Sequence, residues 1–173
     1  VPLSIALNTW VFPLQAILLL GWIIYRYWRK DPPAWHWLLA GGFLALVLLY
    51  PFLSGFAIHA QAAPIRVVAA MDHTPISRFI GQHWPLLLLF LLGTFNPTTR
   101  KLGLFLTVTF AAILVISEVV YVDDPTAGKW ARANTTMKWW GWVWCGGLAG
   151  LGTLCLGSHA RPVRWLAIFA LLA

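Results

Sequence analysis

Long apolar runs separated by short polar segments make up most of this chain. Five runs are about 20 residues or longer, the length that an α-helix needs to cross a bilayer, and a sixth opens near residue 163 and is cut short. The runs show no alternation of apolar with polar residues, which favours helices over the strands of a barrel. The pattern predicts an all-α, polytopic integral membrane protein with about six transmembrane helices. The predicted spans are residues 9–28, 35–54, 74–95, 102–122, 129–156 and 163 onward.

The composition agrees with this pattern. Of the 173 residues, 60% are hydrophobic and 10% are charged, whereas soluble domains carry about 25% charged residues. We expect residues 1–173 to form a single transmembrane domain with the lipid bilayer as its partner. The chain starts at Val1 and ends inside an apolar run, so we also expect it to be a piece of a longer polypeptide.

The net charge of +7 does not indicate nucleic acid as a partner, because the basic residues lie singly or in small groups at the ends of the apolar runs, as topology signals do. The side with more of them should be cytoplasmic. Segments 55–74 and 123–131 are therefore predicted to be extracytoplasmic. The cytoplasmic set is Arg26, Arg29, Lys30, Arg100, Lys101, Arg161 and Arg164, and the outer set is Arg66, Arg78, Lys129, Arg132 and Lys138.

Polar chemistry concentrates in residues 117–144, which hold three of the five acidic residues of the chain. Glu118 lies in the last turn of the fourth predicted span. A carboxylate within a membrane costs about 2.5–3.5 kcal/mol and usually faces a cavity or a partner. A structural Glu–Arg pair at a wet helix end is the alternative. On a continuous helix, Glu118, Tyr121 and Val122 would share one face.

Three polar side chains, Arg132, Asn134 and Lys138, open the fifth predicted helix. Cations at a helix N-terminus oppose the helix dipole, so a compensating partner is expected. An anionic ligand such as a phosphate suits the arginine and the free amides of a helix start. The carboxylates of Asp123 and Asp124 are the alternative partners.

A second polar group surrounds the start of the third predicted span, with Asp72, His73, Thr74 and Arg78. It is interpreted mainly as a helix cap, with Thr74 as the N-cap and Pro75 at the first helical position. The arginine side chain would then extend towards the interface. A role in substrate binding is the alternative for Arg78.

The other chemistry-bearing residues have more general interpretations. The histidines His36, His83 and His159 lie near span ends and are predicted to be interfacial, and the sequence has no metal-ligand spacing. The tryptophans are predicted to form interfacial belts and packing contacts, with pigment binding as an open alternative. Glycines in the fifth span predict close helix packing: Gly141, Gly146, Gly147, Gly150 and Gly152.

The polar stretch resembles the signature of the YYY family of archaeal and chloroflexal membrane proteins. Glu118, Tyr121 and Asp123 are followed by R-x-N-T-x-x-K over residues 132–138, with Trp144 beyond. Ala133 stands where the family favours methionine. The segment His73-Thr74-Pro75 is similar to the family's R-T-P-L, with histidine in place of the arginine.

This resemblance implies part of a GT-C-like glycosyltransferase in a prokaryotic plasma membrane, one that transfers a sugar from a polyprenyl-phosphate donor on the extracytoplasmic face. It implies Glu118 and Asp123 as catalytic carboxylates, and a divalent cation is a further expectation. A non-catalytic accessory subunit of a photosynthetic or respiratory membrane complex is the alternative. The substrate-binding residues implied are Arg78, Tyr121, Arg132, Asn134 and Lys138.

Overall fold

The computed structural model of the chain describes residues 11–59, 65–97, 99–123 and 128–173. These ranges contain six α-helices, two short strands that pair in one sheet, and two single turns of 3-10 helix at Ala70–Asp72 and Gly128–Trp130. The expected all-α class is therefore confirmed. The elements are α1 (Val11–Trp28), α2 (Trp35–His59), β1 (Ile65–Val67), α3 (Ile76–Gly93), α4 (Arg100–Val119), β2 (Val120–Val122), α5 (Ala131–Leu156) and α6 (Arg161–Leu172).

Within the described ranges, four helices are long and apolar enough to cross a membrane: α1, the Trp35–Gly55 part of α2, α3 and α4. This is compatible with an integral membrane protein. The two other helices do not meet the same criteria for different reasons. Helix α5 has 26 residues, but many of them are tryptophan and glycine, whereas α6 has only 12 residues. The exact number of spans stays a prediction.

The chain forms two compact units. The first unit consists of Val1–Arg66 and Val122–Lys138, and the second consists of Val67–Tyr121 and Trp139–Ala173. The division falls inside β1, β2 and α5, so each of these elements contributes residues to both units.

The second unit is packed around α3, which contacts α4 and α6. Leu86, Ile113 and Val143, from α3, α4 and α5, are fully buried. Gly146 of α5 faces the ring of Phe110, and a Cβ at this glycine would come within 2.7 Å of that ring. The close packing predicted for α5 is therefore confirmed at Gly146, whereas Gly141 has no atom within 4 Å of an added Cβ and the prediction is wrong there.

In the first unit, helices α1 and α2 are strongly apolar, but few of their side chains are buried. Leu14 and Leu49 are buried, whereas Trp37, Phe43 and Tyr50 are 70–72% exposed. The turn between the helices is held by contacts within itself, among them an ion pair of 2.9 Å between Arg26 and Asp31 and a 3.0 Å hydrogen bond from the Trp35 indole to the Tyr27 hydroxyl.

The fourth apolar run does not stay helical to its end. Helix α4 ends at Val119, and residues 120–122 form strand β2. The prediction that Glu118, Tyr121 and Val122 share one helical face is therefore wrong. Valine and tyrosine favour an extended backbone, and the carbonyl of Val119 accepts a 2.8 Å hydrogen bond from the Val68 amide. Residues 65–67 form strand β1, which pairs with β2.

Candidate functional site: two carboxylates at the end of helix α4 and strand β2

Glu118 is held by Thr74 at the end of α4. Its Oε2 atom accepts a hydrogen bond from the Thr74 amide, and its Oε1 atom accepts one from the Thr74 hydroxyl, both at 3.0 Å. The Nδ1 atom of His73 lies 4.0 Å from Oε2. The glutamate side chain is only 16% exposed. A largely enclosed carboxylate with both oxygens engaged is thus the centre of the polar group in the second unit.

This use of Thr74 changes the start of α3. The helix begins at Ile76, its N-cap position is Pro75, and no side chain caps it. The predicted capping role of Thr74 is therefore wrong, because its hydroxyl donates to Glu118 instead. The sequence indicated a polar group at residues 72–78 but gave no sign of its partner, which lies 44 residues further along the chain.

Polar contacts join α5 to both α4 and α3 in the second unit, one of them buried and the other part-buried. The Ser117 hydroxyl donates to the Leu114 carbonyl at 2.7 Å and accepts from the Trp140 indole at 2.8 Å. The Trp144 indole donates to Nδ1 of His83 at 3.0 Å. His83 is fully buried, so the prediction that it is interfacial is wrong. Neither Ser117 nor His83 was identified from the sequence as part of a site.

Asp123, in the first unit, has a different environment. Its Oδ2 atom lies 2.7 Å from Nε of Arg66, with side-chain exposures of 13% for the aspartate and 60% for the arginine. This carboxylate was one alternative partner for the cations at the start of α5, and the ion pair observed is with a residue of β1. The other expected partner, Asp124, lies outside the described residues.

Thr135 ties the start of α5 to the end of β2. Its hydroxyl accepts a hydrogen bond from the Val122 amide at 3.0 Å and donates to the Val122 carbonyl at 3.2 Å. The side chain is fully buried. The threonine of the R-x-N-T motif is therefore a structural residue of the first unit, and it positions the backbone next to Asp123.

The seven predicted site residues divide between the two units. Arg78, in the first turn of α3, is exposed, and Tyr121 of β2 is half-buried; both belong with Glu118 to the second unit. The first unit holds the rest of the set: Asp123, together with the half-buried Arg132, Asn134 and Lys138 on the first turns of α5.

The partners of both carboxylates come from the segment that connects α2 with α3. Arg66 binds Asp123 in the first unit, and Thr74 binds Glu118 in the second. The segment was recognised in the sequence as polar, but its register against residues 118–123 follows from the pairing of β1 with β2.

In the described part of the chain, no group of three or more His, Cys, Asp or Glu side chains is placed to hold a metal ion. No protein-family model, curated protein or solved structure matches the chain. The resemblance to the YYY family thus depends on the motif residues alone.

Proposed function

We propose that this chain is part of a GT-C-like glycosyltransferase that transfers a sugar from a polyprenyl-phosphate donor. The observation that supports this best is the environment of Glu118, a carboxylate kept largely out of water at the end of an apolar helix. An inverting transfer needs one carboxylate that accepts the proton of the attacking hydroxyl. We take Glu118 as this base, because its side chain is 16% exposed and accepts hydrogen bonds from the neutral Thr74, whereas Asp123 is paired with an arginine at 2.7 Å.

The other site residues receive roles from their chemistry. Arg132 and Lys138 bind the donor phosphate, because guanidinium and ammonium groups are strong donors to phosphate oxygens. Tyr121 and Asn134 position the sugar through hydrogen bonds. Arg78 contributes a further cation for the substrate, and Asp123 orients the sugar or binds a divalent cation.

The proposed topology has six spans in a prokaryotic plasma membrane, with segments 55–74 and 123–131 outside. The pairing of Arg66 with Asp123 supports one part of this topology, that the two segments lie on the same side of the membrane, and the distribution of basic residues assigns that side to the outside. A cysteine introduced at Thr126 should react with an impermeant thiol reagent added to intact cells. Reaction only after the cells are opened would overturn this orientation.

Replacement of Arg132 tests the phosphate assignment. Arg132→Ala in the full-length purified protein should abolish transfer of a labelled sugar from the polyprenyl-phosphate donor while the melting temperature stays close to that of the wild type. Arg164→Ala removes an exposed cation at the start of α6 and should leave transfer unchanged. Full activity of Arg132→Ala would contradict the assignment.

Replacement of Glu118 tests the general base. Glu118→Gln keeps the shape of the side chain but cannot accept the proton, and the loss of a general base lowers a rate by about 10²–10⁴-fold. The turnover number should therefore fall with little change in donor binding. A variant with unchanged turnover would exclude Glu118 as the base.

A non-catalytic accessory subunit of a photosynthetic or respiratory membrane complex is the second candidate. The observation that favours it is the exposure of the apolar helices in the first unit, where 6% and 11% of the spanning positions of α1 and α2 are buried. Such surfaces suit lipid or a further subunit. Purification in a mild detergent distinguishes the two functions, because a subunit would copurify in fixed stoichiometry with partners and with pigment absorbance.

A further inference from the structure

The imidazole of His83 is enclosed by aromatic rings in the second unit. The side chain is fully buried on α3. The ring centroid of Phe79, one turn earlier on the same helix, lies 4.7 Å away, and that of Trp140 on α5 lies 4.6 Å away. Trp144, one turn further along α5, has its centroid at 6.0 Å. A titratable ring is thus held among three ring systems that do not titrate.

The contacts of the imidazole define where its proton lies. The indole N–H of Trp144 can only donate, and it points at Nδ1 of His83 at 3.0 Å. Nδ1 must therefore be the acceptor, and the proton of the neutral ring is on Nε2. The Nε2 atom is buried and has no hydrogen-bond partner in the part of the chain that the structure describes. Because Nε2 carries the proton, it has no free lone pair for a metal or a pigment.

From this geometry we infer that His83 is a proton-binding switch that controls the attachment of α5 to α3. A second proton can enter the ring only at Nδ1, where it would face the indole N–H of Trp144. Protonation therefore breaks this hydrogen bond. It also creates a cation at a fully buried position, and cation–π attraction from the surrounding rings restores only part of the lost hydration. The contact is stable when the ring is neutral and is lost as the pH falls.

The charged groups around the imidazole do not change the expected direction, in which the contact is lost as the pH falls. Glu118 on α4 would attract an imidazolium when it is ionised, because the two charges are opposite. This attraction does not replace the hydrogen bond from Trp144 that protonation breaks. On α5 the facing side chains are Trp140 and Trp144, and on α6 the side chain against α3 is Phe169, in contact with Trp84. None of these four titrates.

The test is the pH dependence of thermal unfolding of the full protein in detergent, between about pH 8 and pH 5, where histidine titrates. The wild type should lose about 3 °C or more in melting temperature at the lower pH. In His83→Asn, the amide oxygen replaces Nδ1 as the acceptor for Trp144 and does not titrate, so at least half of that loss should disappear. His159→Asn, at an exposed position, should keep the whole loss.

Nuclear magnetic resonance of the protein with ¹⁵N-labelled histidine supplies a second measurement, which does not depend on the folding of a variant. At about pH 8, the slowly exchanging histidine should carry its proton on Nε2. A proton on Nδ1, or an equal pH-dependent loss of melting temperature in His83→Asn and the wild type, would overturn the switch. Neither measurement depends on the proposed glycosyl transfer.

Discussion

The two compact units contain similarly apolar helices but bury them to different extents. In α3 and α4 of the second unit, 39% and 33% of the spanning positions are buried, against 6% and 11% in α1 and α2 of the first. Some of the glycines differ in the same way, although Gly81 and Gly141 of the second unit also have no atom within 4 Å of an added Cβ. Gly103 of α4 faces the backbone of Gly93, whereas Gly41, Gly42 and Gly55 of α2 have no atom within 4 Å of an added Cβ. Hydropathy thus predicts that a helix is compatible with lipid. Whether the helix packs closely against a neighbour depends on small residues at the contact.

The polar contacts of the two units also differ in how exposed the partner of the carboxylate is. Glu118 and its partner Thr74 are part-buried, whereas Asp123 of the first unit pairs with an arginine that is 60% exposed. Thr135 is the exception in the first unit, since its contact with Val122 is buried. Substitutions at these contacts should therefore have effects that decrease with exposure.

The largest effect is expected for Gly103→Ala. The new Cβ would collide with the carbonyl group of Gly93, and a backbone atom cannot move aside as a side chain can. Overpacking typically costs about 1–3 kcal/mol and occasionally more; we expect at least the upper value. Thermal unfolding in detergent measures it. Gly41→Ala, in open space on α2, is the matched control and should melt like the wild type; equal melting of the two variants would show that the packing difference is not real.

A smaller effect is expected for Glu118→Ala. The substitution removes the acceptor of both Thr74 hydrogen bonds, and hydrogen bonds to charged groups contribute about 1.5–3 kcal/mol. The melting temperature should fall accordingly. Thr74→Val tests the same contact from the other side, because it keeps the amide donor and loses only the hydroxyl, and it should therefore cost less. A larger loss for Thr74→Val than for Glu118→Ala would contradict this account.

Thr135→Val tests whether the first unit also depends on an enclosed contact. Valine has nearly the shape of threonine but leaves the amide and carbonyl of Val122 without the hydroxyl, and an unsatisfied buried group costs about 1–3 kcal/mol. A loss in this range is expected in thermal unfolding. Thr136→Val, whose hydroxyl bonds the Arg132 carbonyl one turn earlier on the same helix, is the control and should be nearly neutral. Equal losses of stability in the two variants would mean that the substitutions destabilise helix α5 itself and that the contact with β2 contributes nothing.

The smallest effect is expected for Arg66→Ala. Ion pairs with an exposed partner contribute about 0–1 kcal/mol, so the melting temperature should change little. The change should also shrink as salt is added, since salt screens exposed charges. Measurement at low and high salt checks this. A salt-insensitive loss as large as that of Glu118→Ala would show that the 13% exposed carboxylate of Asp123, and not the exposed arginine, determines the strength of the pair.

Several features of the fold could be predicted from local pattern. The run lengths predicted the helices, and the glycines of the fifth run predicted close packing, which Gly146 makes against Phe110. The end of α4 could not be predicted from hydropathy, because Val119 to Val122 are as apolar as a helix in lipid requires. Their β-branched and aromatic side chains, together with the hydrogen bond from Val68, produce a strand instead.

The candidate site was predicted in part. Glu118 was expected to face a cavity or a partner, and it accepts two hydrogen bonds from Thr74; Asp123, one alternative partner for the cations at the start of α5, pairs with Arg66 of β1. Thr74 donates to Glu118 from 44 residues away, and Trp144 donates to His83 from 61 residues away. Composition and run length are local properties, and they suffice to establish the membrane-compatible helices and the clustering of polar residues. The hydrogen-bond partners and the burial of His83 depend on which distant segments meet, and that depends on the packing of whole helices against one another.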